Sequence, residues 1–225
     1  MAHQSLQHTR LDGPGVCAAQ ELSRRLLAKY PERMRHSAAV AARAVSLAEA
    51  VDDGDVNLLV AAAWAHDIGY SQTLRDTGFH PLDGARFLES RGWNPRLCAL
   101  VAHHSGSRFV ATAKGLDSAL SRFVHVQDAV SDALTVADQT IGPDGRRLTL
   151  DERMRDLLER HGPQSPHGQA HPQREAYLRA ALQRVTAQLS AREAAEIRAP
   201  IGRPRSGSVA SFEARLLLPR SRRTS

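Results

Sequence analysis

The sequence predicts an all-α fold, a helical bundle in a single domain. Apolar residues make up 42% of the 225, enough to build a core, while aromatics are only 4%. Ala and Leu dominate the apolar set, and strands prefer β-branched and aromatic residues instead. No run of alternating Val, Ile, Thr and Tyr is long enough to read as a strand.

The helices follow in order. Leu22, Leu26 and Leu27 share one side of a helix over about 15–29. Pro31 suits the first position of the next, about 31–51. Asp52-Asp53-Gly54-Asp55 is a turn that also caps a helix over about 55–68. Residues 71–79 read as a loop. Pro81 starts a helix ended by Gly92, and Asn94-Pro95 starts another ended near Gly106. Residues 107–116 look irregular, and one long helix is expected from about Asp117 to Asp138. Gly142-Pro143-Asp144-Gly145 is a turn. Thr149 and Glu152 have the spacing of a capping box for a helix to Arg160. Residues 163–172 read as a loop, and a last helix covers about 173–196.

Composition limits the function classes. The net charge of +6 resides in residues 198–225, where seven arginines face one acid, Glu213. The remainder is neutral, which is not the pattern of a nucleic-acid groove. The expected organisation is therefore a flexible segment 1–13, a domain 14–197 and a basic, disordered tail 198–225. Cys17 and Cys98 make no disulfide framework. Met1–Ser5 begin no charged and then apolar leader, and Leu58–Ala65 is far too short to span a membrane. A cytoplasmic protein is expected.

Titratable residues fall on the apolar stripes. His36 shares a face with Val40, Ala44 and Leu47, and Asp67 with Val56, Val60 and Ala63. His104 shares one with Leu97, Leu100 and Val101. Asp138 shares one with Leu120, Phe123, Val130 and Leu134 on the expected long helix. A lone core histidine is commonly bonded to a backbone carbonyl. Two inward carboxylates need cations, however, and the chain has only two lysines, Lys29 and Lys114. A divalent metal is the simplest partner. Imidazole with carboxylate suits Fe, Mn, Co, Ni or Zn, and the cysteines are too few for a structural zinc site.

The ordered set His36, His66-Asp67, Asp138 resembles the signature of the HD-domain superfamily of metal-dependent phosphohydrolases. The run Ala62-Ala63-Trp64-Ala65-His66-Asp67-Ile68-Gly69 is similar to the stretch around that family's dyad, and His36-Ser37-Ala38-Ala39-Val40-Ala41 to its first-histidine helix. The resemblance spans roughly 20–197. His80-Pro81-Leu82-Asp83-Gly84-Ala85 and Leu100-Val101-Ala102-His103-His104-Ser105 resemble elements of the branches that hold two metals. It implies one ion held by His36, His66, Asp67 and Asp138, and a second held by His80 and His104 with Asp67 as bridge. His80 is otherwise a helix cap before Pro81. His103 shares its face with Arg96 and Ala99 and is expected at the mouth of the site or on a substrate phosphate.

The resemblance further implies hydrolysis of a phosphate ester or anhydride of a nucleotide or related small molecule, with His66, Asp67 and His103 in catalytic roles. The family's pattern His-Asp-x-x-Lys has Tyr70 in place of the lysine here, and a phenol is a weaker, neutral donor. Arg108, Lys114 or Arg122 are expected to supply charge to the substrate instead. Two alternatives are a non-catalytic module that binds a ligand or partner, and a dinuclear-iron oxygenase on the same frame. His125, grouped with Asp128 and Asp132, reads as solvated. His161, His167 and His171 are spaced too loosely for a second metal site, and Trp64 and Trp93 read as packing.

Overall fold

The computed structural model describes residues 14–198 and is all-α. Eleven helices run in order: α1 (Pro14–Leu26), α2 (Pro31–Ser46), α3 (Val56–Ala65), α4 (His80–Ser90), α5 (Pro95–His103), α6 (Ser107–Lys114), α7 (Asp117–Leu120), α8 (Ala129–Gln139), α9 (Leu150–His161), α10 (Pro166–Gln188) and α11 (Ala191–Arg198). Short 3₁₀ turns join several of them. Among the described residues the only strand-like feature is an isolated bridge between Ile141 and Arg147. The expectations for residues 1–13 and for the basic tail beyond Arg198 lie outside the described residues.

The hydropathy of α3 explains the architecture. It is apolar all round, and Val56, Leu59, Val60, Ala61, Ala62, Ala63 and Ala65 are all buried. Such a helix must be surrounded, and α1, α2, α5 and α8 pack against it. Its small alanines allow close approach. The helix α10 closes the other side against α6, α8 and α9. Trp64 and Trp93 pack on this core, as expected. No described helix is long and apolar enough to cross a membrane.

Four expectations about elements are corrected. Residues 107–116 are not irregular: α6 forms between Gly106 and Gly115, both left-handed, and buries Val110 and Ala111. The long helix 117–138 is two helices with a non-helical segment between them. Asp128 accepts from Ser131 N at 2.8 Å and starts α8 with its own capping box. A side chain that caps competes with a helix passing through it. Asp138 therefore shares its helix only with Val130 and Leu134, while Leu120 and Phe123 reach the same core from outside it.

Residues 163–172 are mostly helical, since Ser165 caps α10 and Pro166 takes its first position. Pro172 lies inside that helix, past its first turn, and forgoes one backbone bond. The last helix breaks after Gln188, leaving α11 separate. The capping box at Thr149 and Glu152 forms as the spacing predicts.

Candidate metal centre

The centre of the bundle holds a cluster of imidazoles and carboxylates. His36 comes from α2, and His66 and Asp67 from the end of α3. His80 opens α4, His104 follows α5, and Asp138 lies near the end of α8. Five of the six are buried, and only His80 keeps a modest exposure of 17%.

The ring nitrogens are oriented by the backbone. His36 Nδ1 donates to Gly142 C=O at 2.9 Å, His66 Nδ1 to Ala63 C=O at 2.8 Å, and His104 Nδ1 to Val101 C=O at 2.7 Å. A carbonyl only accepts, so each Nδ1 carries the proton and each Nε2 turns inward. His36 Nε2 lies 3.0 Å from Asp138 Oδ1 and 3.9 Å from Asp67 Oδ2. His66 Nε2 is 3.4 Å from Asp67 Oδ1, 3.8 Å from Asp138 Oδ1, and has no hydrogen-bond partner. His80 Nε2 is 3.3 Å from both Asp67 Oδ1 and His104 Nε2.

Two groups emerge in which ligand atoms all lie within 4.8 Å of one another: His36, His66 and Asp67, and Asp67, His80 and His104. They share Asp67. Inward Nε2 atoms facing carboxylate oxygens, with the His66 Nε2 buried and orphaned, fit divalent cations. The nitrogen and oxygen donors suit the metals expected from the sequence.

Electrostatics agree with a cationic occupant. Burial opposes ionisation of Asp67, but the charges of His66, His80 and His36 hold it well below the ordinary carboxylate value. Burial likewise opposes the charge on Asp138, and the hydrogen bond from His36 leads the effects that outweigh it. Burial, joined by the charges of His66 and His80, pushes His104 down to about 3, which keeps it neutral.

Supporting side chains complete the centre. Ser105 Oγ and Gln139 Nε2 both donate to Asp138 Oδ2, the latter at 2.7 Å. Ser105 is the one non-glycine with left-handed backbone among the described residues, φ 54°, a strained conformation that this bond helps to hold. Tyr70 does not reach for substrate first: its ring stacks on His80 at 4.0 Å and 18°, and burial pushes its hydroxyl up to about 12. Arg33 lies over the other part of this stack, 3.9 Å from the Tyr70 ring, and its Nη1 is 3.4 Å from Asp67 Oδ2.

Arg33, Ser105 and Gln139 escape the sequence reading. Arg33 precedes His36 by three residues on α2, a spacing that marks a shared helical face and was available. Nothing local signals Ser105.

Other expected contributors stand elsewhere. His103 turns away: its Nε2 donates to Phe123 C=O at 2.7 Å, and its ring is 5.0 Å from that of His125. With Arg122 it lines a cavity of about 330 Å³ that His104 also borders. Arg122 pairs with Glu89 at 2.9 Å, and Arg108 reaches His125 at 3.4 Å while lying over Phe109 and Tyr177. Lys114 acts electrostatically on His167, near the start of α10. His125 is not on a helical polar face, because residues 121–128 are not helical; burial lowers its pKa, as do His103 and Arg108. Asp132 is buried and paired with Arg184.

The model of one family, described as the HD domain, matches residues 33–160, more than half of the chain and every residue of the cluster. No curated protein and no solved structure matches.

Proposed function

The chain belongs to the HD-domain family, and on that footing we propose that it is a phosphohydrolase that uses two divalent ions to cleave a phosphate ester or anhydride of a small molecule. One observation supports this above the rest: Asp67 belongs to both metal-competent groups, so one carboxylate can face two ions at once. Ions held there would supply the Lewis acidity that polarises a phosphoryl oxygen and brings a water's pKa toward neutrality.

The protein's part is orientation and charge. His36, His66, Asp67 and Asp138 would hold one ion, and His80 and His104 the other with Asp67. The three Nδ1–H bonds to carbonyls fix each imidazole in the tautomer that presents Nε2. Ser105 and Gln139 occupy Asp138 Oδ2 and leave Oδ1 toward the site. Tyr70 braces His80 rather than replacing a lysine, and Arg33 brings the guanidinium charge that position lacks. In the overall reaction water adds to phosphorus, the P–O bond to the leaving group breaks, and the leaving oxygen takes a proton.

Phosphate release from a panel of nucleotides and simple phosphoesters, with the metal-loaded protein, tests this reading. Turnover that vanishes in Asp67→Ala is expected. Absence of phosphate release, with oxygen consumed in the presence of ferrous iron, favours the oxygenase alternative. Ligand binding without turnover favours the non-catalytic one.

A further inference from the structure

Three arginines crowd the metal centre with too few acids to match them. Arg33, on α2, has only the edge of Asp67, a carboxylate already surrounded by histidines. Arg153, on α9, is buried with an orphaned Nε, and its acid partner Asp156 at 3.2 Å is shared with Arg160. Arg174, on α10, is 6% exposed, and its Nε donates to a neutral acceptor, Ser105 C=O, at 2.8 Å. Burial, joined by the charge of Arg153, pushes Arg174 down to about 10.

Arg33 and Arg174 approach the same centre, Arg33 at Asp67 Oδ2 and Arg174 at Ser105, whose hydroxyl donates to Asp138. Arg153 acts electrostatically on His36, Tyr70, Asp138 and Arg174, and Arg174 in turn senses Tyr70 and Asp138. The stacked rings of His161 and His167, 4.4 Å apart, lie where α9 ends and α10 begins. Each imidazole senses these arginines, His161 through Arg33 and Arg153 and His167 through Arg174, and His167 also senses His80. His167 Nδ1 is buried and unpartnered.

A buried guanidinium is costly unless an anion completes it, and its planar fork fits a phosphoryl group with two parallel hydrogen bonds. If divalent ions claim Asp67 and Asp138, the positive charge left over is larger still. We propose that Arg33, Arg153 and Arg174, flanked by His161 and His167, form the wall that receives the substrate's phosphoryl group and select a dianionic phosphate monoester. A diester carries a single negative charge and would leave more of this wall uncompensated. Arg174 and both histidines lie outside the stretch that the family model matches, so this half of the site belongs to the chain's own C-terminal helices. The choice of monoester rests on the hydrolase reading, whereas the anion site itself does not.

The test is calorimetric titration of the full-length, metal-loaded protein with inorganic phosphate, alongside Arg33→Met, Arg153→Met and Arg174→Met, with metal content measured in each. Arg174→Lys stands in if Arg174→Met does not fold. Phosphate affinity about tenfold weaker in each variant at unchanged metal content is expected. KM for monoesters should rise more than kcat falls, and monoesters should be preferred over diesters. Equal phosphate affinity in all variants, with monoester KM unchanged, overturns the site and leaves the hydrolase reading intact. Weakened phosphate binding in a protein that releases phosphate from nothing overturns the hydrolase reading and leaves the anion site standing.

Discussion

At the cluster, what matters is which atom holds which proton. His36 Nε2 faces Asp138 Oδ1 at 3.0 Å, and two acceptors do not meet so closely unless a proton or a cation lies between them. Without metal, burial works against a charged His36, but the hydrogen bond to Asp138 and the charges of Asp67 and Asp138 outweigh it and raise its pKa above 6.5. That contact stabilises the metal-free fold below pH 6.5 and is lost as pH rises through the raised value. The carboxylates, held below 3.8, contribute above that value and lose their part as pH falls through their depressed pKa. Burial lowers His80 and His104, so their part is lost as pH falls below 6.5, and the metal-free chain is expected to draw most from this cluster near pH 6.5, which denaturation across pH measures. Metal must displace the His36 proton, so metal affinity should rise with pH through the same range. Ser105→Ala removes a donor to Asp138, and metal affinity should fall by about tenfold or more, read by competition with a chelator. At this scale helical spacing pointed His36, Asp67, His104 and Asp138 inward, the resemblance added His66 and His80, and all six meet. The sequence was silent on Ser105, whose role depends on a left-handed backbone, and on the turning away of His103.

At the level of elements, the second half of the centre depends on how closely the turn after Asp67 meets α4. Gly69 makes this possible, because a Cβ there would lie 2.0 Å from His80 C=O and 2.7 Å from Gly84 N. Both are backbone atoms and cannot rotate aside. Gly69→Ala should push α4 outward, lower stability by about 1–3 kcal/mol, and weaken the ion held by His80 and His104 more than the other. Thermal melts and metal stoichiometry would show both effects. The helices were legible where apolar period and capping agree, as in α2, α3, α4, α5 and α9. They were not legible where one capping residue sits inside a continuous apolar period. Asp128 is such a case: the stripe from Leu120 to Asp138 counts correctly through a helix that the chain does not form. Pro172 is the reverse case, a helix breaker that lies inside a helix capped by Ser165.

The described residues form a shell of helices around an apolar α3, and the two residues just past its end, His66 and Asp67, enter a polar centre. Removing α3 from water and placing ionisable side chains at its end are therefore one design, in which two carboxylates and four imidazoles converge on groups that could hold a metal ion. Ligands that bind only the native state add stability in proportion to the logarithm of their excess over Kd, about 2.7 kcal/mol at a hundredfold excess. Stripping metal with a chelator should accordingly lower the melting temperature, and restoring a divalent ion should recover it. The most direct measurement is the metal content per chain of the purified protein and of Asp67→Ala, by elemental analysis after dialysis. Two ions per chain in the parent, with loss of both or nearly both in the variant, is the predicted result. A parent free of metal even after incubation with Fe, Mn, Co, Ni and Zn, or a variant that keeps both ions, would contradict a centre bridged by Asp67.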